Sequence, residues 1–589
     1  MGLFDYRLLS FIGIRKKPKT PWKKYYDKSI MKINLKNENI YEYFLRKLNS
    51  DGYYNNIAIS YYGKNITYKQ FINYIDACAN SFIKLGVKKF DIVTIISANI
   101  PEALVAFYAL NKIGAVVNML HPMLSMNEIK DALNKYETKY TLALDITLEK
   151  IDKVLSQTSV EKVIVLKPSY SMSILYKVGC KLMNLKNKKP NLKNKHLYLS
   201  WKKFITHKKY VVKNDVKKDD PALIFQSGGS TGKPKGIVLS NGNVNASTIS
   251  VLSVLSDINS SDVILGIMPI FHGFGLEVSI NDAFCSGAKV VLIPRFKGNK
   301  FHKLLVKYKP TVLVGVPTLF EALMNNKNIE NIDLSYLKYV ISGGDTLNSK
   351  KVEEVNNFLS KHKSKAKMLQ GYGLTEAVAS NSLDLKQNSK PGTIGIPLPG
   401  IYIGIFKPNT DIELKPNEDG EICICGPTVM LGYYDDENET DMALMHHKDG
   451  NIWLHTGDIG SMDKDGFLTY KQRLKRMIVT SGYNVYPSQI EEVLELHESV
   501  EKASVIGIPH KYKVEVPKAF IVLKKGYRLN SKLEKDLIKH CKENLAAYSV
   551  PKDFVAISKL PKTIVGKVDF KKLREKSLKE MEKKSNGEN

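Results

Sequence analysis

The segment Phe225-Gln-Ser-Gly-Gly-Ser-Thr-Gly-Lys-Pro-Lys-Gly236 constrains this chain more than any other. It follows an apolar strand, Ala222–Phe225, with a loop of glycines and hydroxyls that carries Lys233 and Lys235. Glycine lets the main chain approach a ligand closely, so such a loop can aim backbone N–H groups and short hydroxyls at a polyphosphate. The spacing is not that of a Walker A loop. Ser227 stands where that motif needs glycine, and Pro234 follows Lys233 where it needs a Ser or Thr to open a helix and hold Mg²⁺. The loop reads as a site for ATP phosphates outside the usual phosphoryl-transfer arrangement.

Strand and helix signals alternate over the first 470 residues or so. Strands are expected at Ile92–Ser97, Ala115–Leu120, Lys162–Leu166, Ala222–Phe225, Lys289–Ile293, Val312–Gly315, Tyr339–Ser342 and Lys367–Leu369. Pro101 fits a first helical turn, Gly114 a helix end, and Ser125-x-x-Glu128 a capping box. Such alternation implies parallel sheets covered by helices, with ligand sites at strand carboxyl ends. Gly-rich segments at Ser227, Gly343 and Gly371 each follow a strand, which points to one composite site.

A chain of 589 residues exceeds what one hydrophobic core supports. The expected fold class is α/β, a large N-terminal lobe of helix-covered, mainly parallel sheets plus a small C-terminal α+β domain. The expected boundaries are a basic, apolar extension over 1–40, the large lobe over 41–472 with a basic segment at 162–214, a connector at 473–476, the small domain over 477–575, and a charged tail over 576–589. In the small domain Pro487–His497 reads as a helix, Ala503–Ile508 and Lys518–Lys524 as strands, and Ser531-x-x-Glu534 as the cap of a helix. The chain beyond Lys571 is mostly charge and is expected to fray.

The net charge is +29, and from Lys162 to Asn214 there is no Asp or Glu. Ile174, Leu175, Val178, Leu182 and Leu185 lie there among Lys177, Lys181 and Lys186. Near the start, Leu3, Phe4, Leu8, Leu9, Phe11 and Ile12 precede Arg15, Lys16, Lys17 and Lys19. Apolar residues beside lysines suit peripheral attachment to an anionic membrane; a lysine-rich composition throughout accounts for the charge equally well. No nucleic-acid module accompanies it, so nucleic acid is not an expected partner. The opening Met-Gly is not read as a myristoylation signal, because Tyr6 occupies the Ser/Thr position. Neither a signal peptide nor a spanning segment is evident, and the six cysteines show no metal or disulfide spacing. Cys423 and Cys425 read as small apolar packing groups. A cytoplasmic location, with peripheral contact at the inner membrane surface, is expected.

Further segments complete a pattern: Pro269-Ile-Phe-His272, Ser342-Gly-Gly344, Gly371-Tyr-Gly-Leu-Thr-Glu376, Gly426-Pro-x-Val-Met-x-Gly-Tyr-Tyr434, Trp453-x-x-Thr-Gly-Asp458, Arg473-x-Lys475 and Pro561-Lys-Thr-x-x-Gly-Lys567. With the Ser227–Gly236 loop they resemble, in order and from about residue 40 to 572, the adenylate-forming superfamily of acyl-CoA synthetases, luciferases and adenylation domains. The resemblance implies activation of a carboxylic acid by ATP to an acyl-adenylate, then thioester formation with CoA. It implies that Ser227, Gly228, Gly229, Ser230, Thr231, Gly232 and Lys235 hold the β- and γ-phosphates. Glu376 would ligate Mg²⁺, Thr375 would contact the α-phosphate, and Tyr372 would stack on adenine beside the Gly343–Gly344 wall. Asp458 would accept the ribose hydroxyls with help from Arg473, and Lys567 would bridge the carboxylate and α-phosphate. The small domain would be mobile, rotating about a hinge at Lys475 to bring Gly482 to the thiol channel. Two departures are Gln472 and Val514, where the family usually has glycine.

Phe271, His272 and Phe274 would shape the acyl pocket. Amino-acid-activating relatives place an aspartate in this segment to hold the ammonium, and here there is none, which disfavours amino acids. Phe271, Phe274 and Leu276 fit a medium- or long-chain fatty acid, while an aryl acid stays open. The alternative is an aryl- or acyl-adenylating enzyme that loads a carrier-protein phosphopantetheine. A non-catalytic membrane adaptor ranks last, because Lys567, Asp458 and Glu376 are all retained.

Overall fold

The computed structural model describes residues 17–183, 190–208, 210, 215–227, 234–345, 347–480, 483–510, 514–563 and 568–585. The chain divides into two compact units. Unit 1 comprises Met1–Gly404, Cys423–Leu454 and Asp465–Phe467; unit 2 comprises Ile405–Ile422, His455–Lys464 and Leu468–Asn589.

Unit 1 holds a nine-stranded sheet ordered Ile396–Pro397, Ser382–Leu383, Met368–Tyr372, Tyr339–Ser342, Val312–Gly315, Val263–Gly266, Lys289–Leu292, Ile57–Tyr61 and Lys64–Thr67. Pairing is parallel from Met368–Tyr372 to Ile57–Tyr61 and antiparallel at both edges. Leu265, Val291, Leu313 and Val340 of these strands pack against Phe301, Leu305, Phe320, Leu323, Val355 and Leu359 of the helices Phe301–Tyr308, Pro317–Met324 and Ser349–Lys361. The second sheet, eight-stranded, runs Gly432–Tyr433, Gly236–Ser240, Pro221–Gln226, Val116–Leu120, Ile92–Ile96, Tyr140–Leu144, Lys162–Leu166 and Tyr198–Ser200. Its strands from Pro221–Gln226 onward are parallel. Their near-continuous Val/Ile/Leu runs are what strands buried on both faces require.

The helix signals are realised locally. Ser125 Oγ accepts from Glu128 N–H at 3.3 Å while Glu128 Oε2 accepts from Ser125 N–H at 2.7 Å. Pro101 opens the helix Pro101–Lys112. Two expectations are corrected in unit 2. The helix Ser531–Asn544 is capped by Asn530, whose side chain accepts from Lys532 and Leu533 N–H groups, because Asn presents its oxygen one residue earlier than Ser531. The chain beyond Lys571 does not fray at once: Phe570–Ser585 is a helix that buries Leu573 against Ile506 and Phe520. Arg574 pairs with Glu515 at 2.6 Å.

Unit 2 also contains a sheet ordered Tyr483–Val485, Ile478–Thr480, Val514–Leu523 and Val500–His510, with Asp553–Ala556 pairing in parallel to Val514–Leu523. Ile490, Leu494, Leu537 and Cys541 from its helices cover that sheet around Val505, Ala519 and Ile521. The large mixed, mainly parallel part and the smaller C-terminal α+β part match the architecture expected from the sequence. Among the described residues no helix is long and apolar enough to cross a membrane. Cys423 and Cys425 are buried.

One core feature was not foreseen. The segment after the Pro269–His272 bend is a π-helical run, Phe274–Asn281, carrying buried Glu277, with Asp282 directly after it. Thr248 Oγ1 donates to Glu277 at 2.5 Å, and Tyr108 O–H donates to Asn281 at 2.7 Å. Burial pushes the Asp282 carboxyl up to about 7, and burial together with Asp282 raises Glu277 well above the carboxylate range. The folded state therefore binds more protons than the unfolded chain between the ordinary aspartate value and about pH 7, so this pair makes stability fall as pH rises through that window. Asp282→Asn is expected to raise the melting temperature little at pH 5 and by several degrees at pH 8. Equal shifts at the two pH values would contradict the protonated pair.

Candidate active site

Gln226, at the end of the strand Pro221–Gln226, pairs with Gly236 in an antiparallel hairpin, and the phosphate-loop segment lies between them. Ser227 N–H donates to Lys235 O at 2.8 Å, and Lys235 N–H donates to Ser227 Oγ at 3.1 Å. The mouth of the loop is thus fixed; Gly228, Gly229, Ser230, Thr231 and Gly232 lie outside the described residues. The Lys235 ammonium is paired with Glu439 and sits 4.7 Å from the Tyr433 ring centroid.

Tyr433 connects this loop to Glu376. Its ring lies on the strand Gly432–Tyr433, beside Gly236–Ser240, and its O–H donates to Glu376 Oε1 at 3.1 Å. Glu376 O accepts from Met430 N–H at 2.8 Å. Glu376 sits in a short 3₁₀ turn, Thr375–Ala377, and the next residue, Val378, has φ +69° and ψ −70°. A β-branched residue in that region carries backbone strain of roughly 1–3 kcal/mol, which persists only where the surroundings hold it. The holding group is visible: a Cβ on Gly273 would come within 2.1 Å of Val378 O, so the two backbones touch.

The same region gathers the expected adenine and acyl residues. Gly343 follows the strand Tyr339–Ser342; a Cβ there would lie 3.3 Å from the Phe274 ring and 3.4 Å from Gly371 O. Tyr372 ends the neighbouring strand Met368–Tyr372, and Gly344 is exposed at φ +77°. Phe271 is buried, with its ring centroid 5.0 Å from that of His272 and 4.3 Å from that of His121. Buried Asn99 holds this bend, donating to Gly266 O and Met268 O and accepting from Ile270 N–H. The acids nearest in sequence, Glu277 and Asp282, are buried, and burial raises the pKa of both.

Unit 2 carries a second cluster. Asp458 faces Arg473 across the antiparallel pair of Ile452–Met462 and Leu468–Arg473. The Asp458 side chain is 1% exposed and forms an ion pair with Arg473 Nε at 2.9 Å, while an Arg473 N–H donates to Thr456 O at 3.1 Å. Thr456 Oγ1 accepts from Asp458 N–H at 3.0 Å and donates to Ile422 O at 2.6 Å, which locks the Thr-Gly-Asp turn. Lys475 lies in the 3₁₀ turn Leu474–Arg476, where Arg476 pairs with Glu491 at 2.6 Å. Gln472 is buried, and its side-chain amide has no hydrogen-bond partner among the described residues. Val514, the other departure from glycine, sits at φ +67°, a conformation glycine adopts freely. Gly482 and Lys567 lie outside the described residues. The residues flanking Lys567 are pinned: Lys562 and Val568 form an antiparallel bridge, and Asp569 N–H donates to Pro561 O at 2.9 Å.

Residues 48–434 match the model of the AMP-binding enzyme family, and residues 489–567 match that of the AMP-binding enzyme C-terminal domain. The chain belongs to the AMP-binding enzyme family. The long-chain-fatty-acid–CoA ligase of Bacillus subtilis is 31% identical to this AMP-binding enzyme over 527 residues, 88% of this chain and 91% of its own. The probable 4-coumarate–CoA ligase 1 of Dictyostelium discoideum is 31% identical over 523 residues, 87% of this chain and 91% of its own. The ATP-bound structure of MatB from Rhodopseudomonas palustris shares the fold with a TM-score of 0.77 at 24% identity, covering 92% of this chain and 99% of its own. This AMP-binding enzyme activates a carboxylic acid with ATP and Mg²⁺ as an acyl-adenylate and passes the acyl group to CoA.

Sequence reasoning overlooked four residues that contact the candidate-site residues or the bend that carries them. Tyr433 stood within the Gly426–Tyr434 motif, but only the structure links it to Lys235 and Glu376. Glu439, the partner of Lys235, lies in the helix Glu437–Ala443 just beyond that motif. His121 carried one signal, its position after the strand Val116–Leu120, and burial lowers its pKa. Asn99 carried none.

Proposed function

We propose that this AMP-binding enzyme is a medium- or long-chain fatty acyl-CoA ligase of the cytoplasm that works against an anionic membrane surface. The observation that carries the substrate reading is the apolar wall of Phe271 and Phe274 beside Gly343, with no carboxylate in the segment Pro269–Phe274. The similarity to a ligase named for long-chain fatty acids supports it.

In the proposed first step the substrate carboxylate oxygen attacks the α-phosphorus of ATP, the bond to the bridging oxygen breaks, and pyrophosphate leaves. Ser227 to Gly232 and Lys235 hold the leaving phosphates; for Lys235 this means exchanging Glu439 for a phosphate oxygen. Thr375 donates to the α-phosphate, and Lys567 bridges it to the incoming carboxylate. Glu376 fits Mg²⁺: Oε1 accepts from Tyr433, Oε2 has no partner among the described residues, and the ion favours one or two carboxylates alongside phosphate oxygens and water. Mg²⁺ bound there would neutralise charge on the triphosphate. Tyr372 and Gly343–Gly344 receive adenine. Asp458, oriented by Arg473, accepts the ribose hydroxyls. In the second step the CoA sulfur attacks the acyl carbonyl and AMP leaves, after a small domain over 477–575 turns on Lys475 against a lobe over 41–472 and presents Gly482 to the thiol.

A saturated acid series tests the substrate. Each added methylene is worth ~0.8 kcal/mol when buried, so kcat/KM is expected to climb roughly fourfold per carbon until the chain outgrows its cleft. A maximum at an aryl acid, as the resemblance to the Dictyostelium protein would favour, contradicts the fatty-acid assignment. Faster transfer to a phosphopantetheinyl carrier protein than to free CoA contradicts the acceptor.

A further inference from the structure

The helix Ile174–Met183 presents an unpartnered apolar face to solvent. Ile174 and Leu175 are each 81% exposed, Leu182 62% and Val178 51%. At 100° per residue these four fall within about 100° of arc. Lys177 and Lys181 follow on one flank, about 60° and 20° beyond Ile174. The opposite side anchors the helix to the rest of unit 1. The Tyr176 ring centroid lies 5.5 Å from that of Tyr62, and Lys307 Nζ lies 5.7 Å from the Tyr176 ring centroid. Cys180 Sγ meets Met172 Sδ at 3.6 Å, and Ser173 N–H donates to Tyr62 O at 3.2 Å. The exposed face is thus held outward rather than left to roll inward.

Charge selects the occupant. Residues 162–214 carry fourteen lysines and no acid. Lys177, Lys181, Lys193, Lys195, Lys202 and Lys203 are exposed. Neither Lys177 nor Lys181 is in an ion pair among the described residues. A second copy of this chain would meet like charge with like charge. A bilayer with anionic headgroups offers hydrocarbon to the four apolar side chains and phosphate to the lysines beside them.

We infer that the helix Ile174–Met183 is the membrane-docking element of this enzyme, lying in the interface of an anionic bilayer with Ile174, Leu175, Val178 and Leu182 immersed. This deepens the membrane-surface reading above and rests on it. The helix carries none of the residues assigned to ATP, acid or thiol, so docking and catalysis separate.

Cosedimentation of the full chain with phosphatidylcholine vesicles, with and without phosphatidylglycerol, tests it. Alongside wild type run the Ile174→Ser/Leu175→Ser/Leu182→Ser and Lys177→Glu/Lys181→Glu variants. Acid-dependent ATP–pyrophosphate exchange with a water-soluble short-chain acid, unchanged in both, certifies folding. Wild type is expected on phosphatidylglycerol vesicles and released by high salt, with each variant partitioning at least tenfold less. Wild-type-like retention of both variants would overturn the docking helix and leave the membrane reading standing. Wild type failing to bind phosphatidylglycerol vesicles would overturn both. Concentration-dependent self-association that the serine variant abolishes, without vesicle retention, would reassign the face to a second copy.

Discussion

Lys567→Ala is expected to lower acid-dependent ATP–pyrophosphate exchange by about 10²–10³-fold, the range seen when one donor to a developing anionic centre is removed. Thioester formation from presynthesised acyl-adenylate should stay within about tenfold of wild type. The asymmetry follows from where charge develops: a cation between two anions stabilises the adenylation transition state and has no equivalent duty once pyrophosphate has left. Among the described residues that flank Lys567, Lys562 and Val568 form an antiparallel bridge and Asp569 N–H donates to Pro561 O. Exchange at the wild-type rate would remove Lys567 from the mechanism. Equal loss in both half-reactions would assign it to nucleotide binding or folding instead.

Gly373→Ala carries the second large effect. A Cβ at Gly373 would stand 1.5 Å from Ala379 O and 2.5 Å from Ala379 C, so the backbone itself must move. Between those contacts lie Thr375, Glu376 and strained Val378. A displacement of about 1 Å there costs on the order of 10²-fold in rate where geometry governs reaction. We expect kcat/KM to fall by about that factor, with far-ultraviolet circular dichroism unchanged. Gly179→Ala is the matched control: nothing lies within 4 Å of its added Cβ, and exchange should be unaffected. Full activity in Gly373→Ala would mean that the Tyr372–Ser380 loop is not held as described.

The strands Lys162–Leu166, Val312–Gly315 and Tyr339–Ser342 were legible to the residue because buried parallel strands leave short Val/Ile/Leu runs bounded by polar or glycine residues. The strand Met368–Tyr372 extends past its apolar run through Gly371, which pairs with Leu383, a tertiary partner no local pattern encodes. The π-helical run Phe274–Asn281 was hidden for a related reason. Its Gly, Glu, Ser and Asn are not an amphipathic pattern, and it is stabilised by Thr248 and Tyr108 from distant segments.

The site divides in the same way. Glu376, Asp458 and Arg473 could be singled out as candidates because each stands in a motif whose neighbours are chemically constrained. Asp458 and Arg473 are opposed across one strand pair, 15 residues apart, so their pairing follows from local topology. Tyr433, Glu439 and His121 reach the site region only through sheet order. Gly432–Tyr433 is the edge strand beside Gly236–Ser240, and this adjacency joins Lys235 to Glu376.

Quenched reactions of the purified full chain with MgATP and a fatty acid, resolved by mass spectrometry before and after CoA is added, test the central claim most directly. Without CoA, acyl-adenylate and pyrophosphate should appear in equal amounts and only when acid is present; with CoA, the adenylate should disappear as acyl-CoA and AMP form. Pyrophosphate release that does not depend on any carboxylic acid, or an acyl-phosphate in place of an acyl-adenylate, would contradict it.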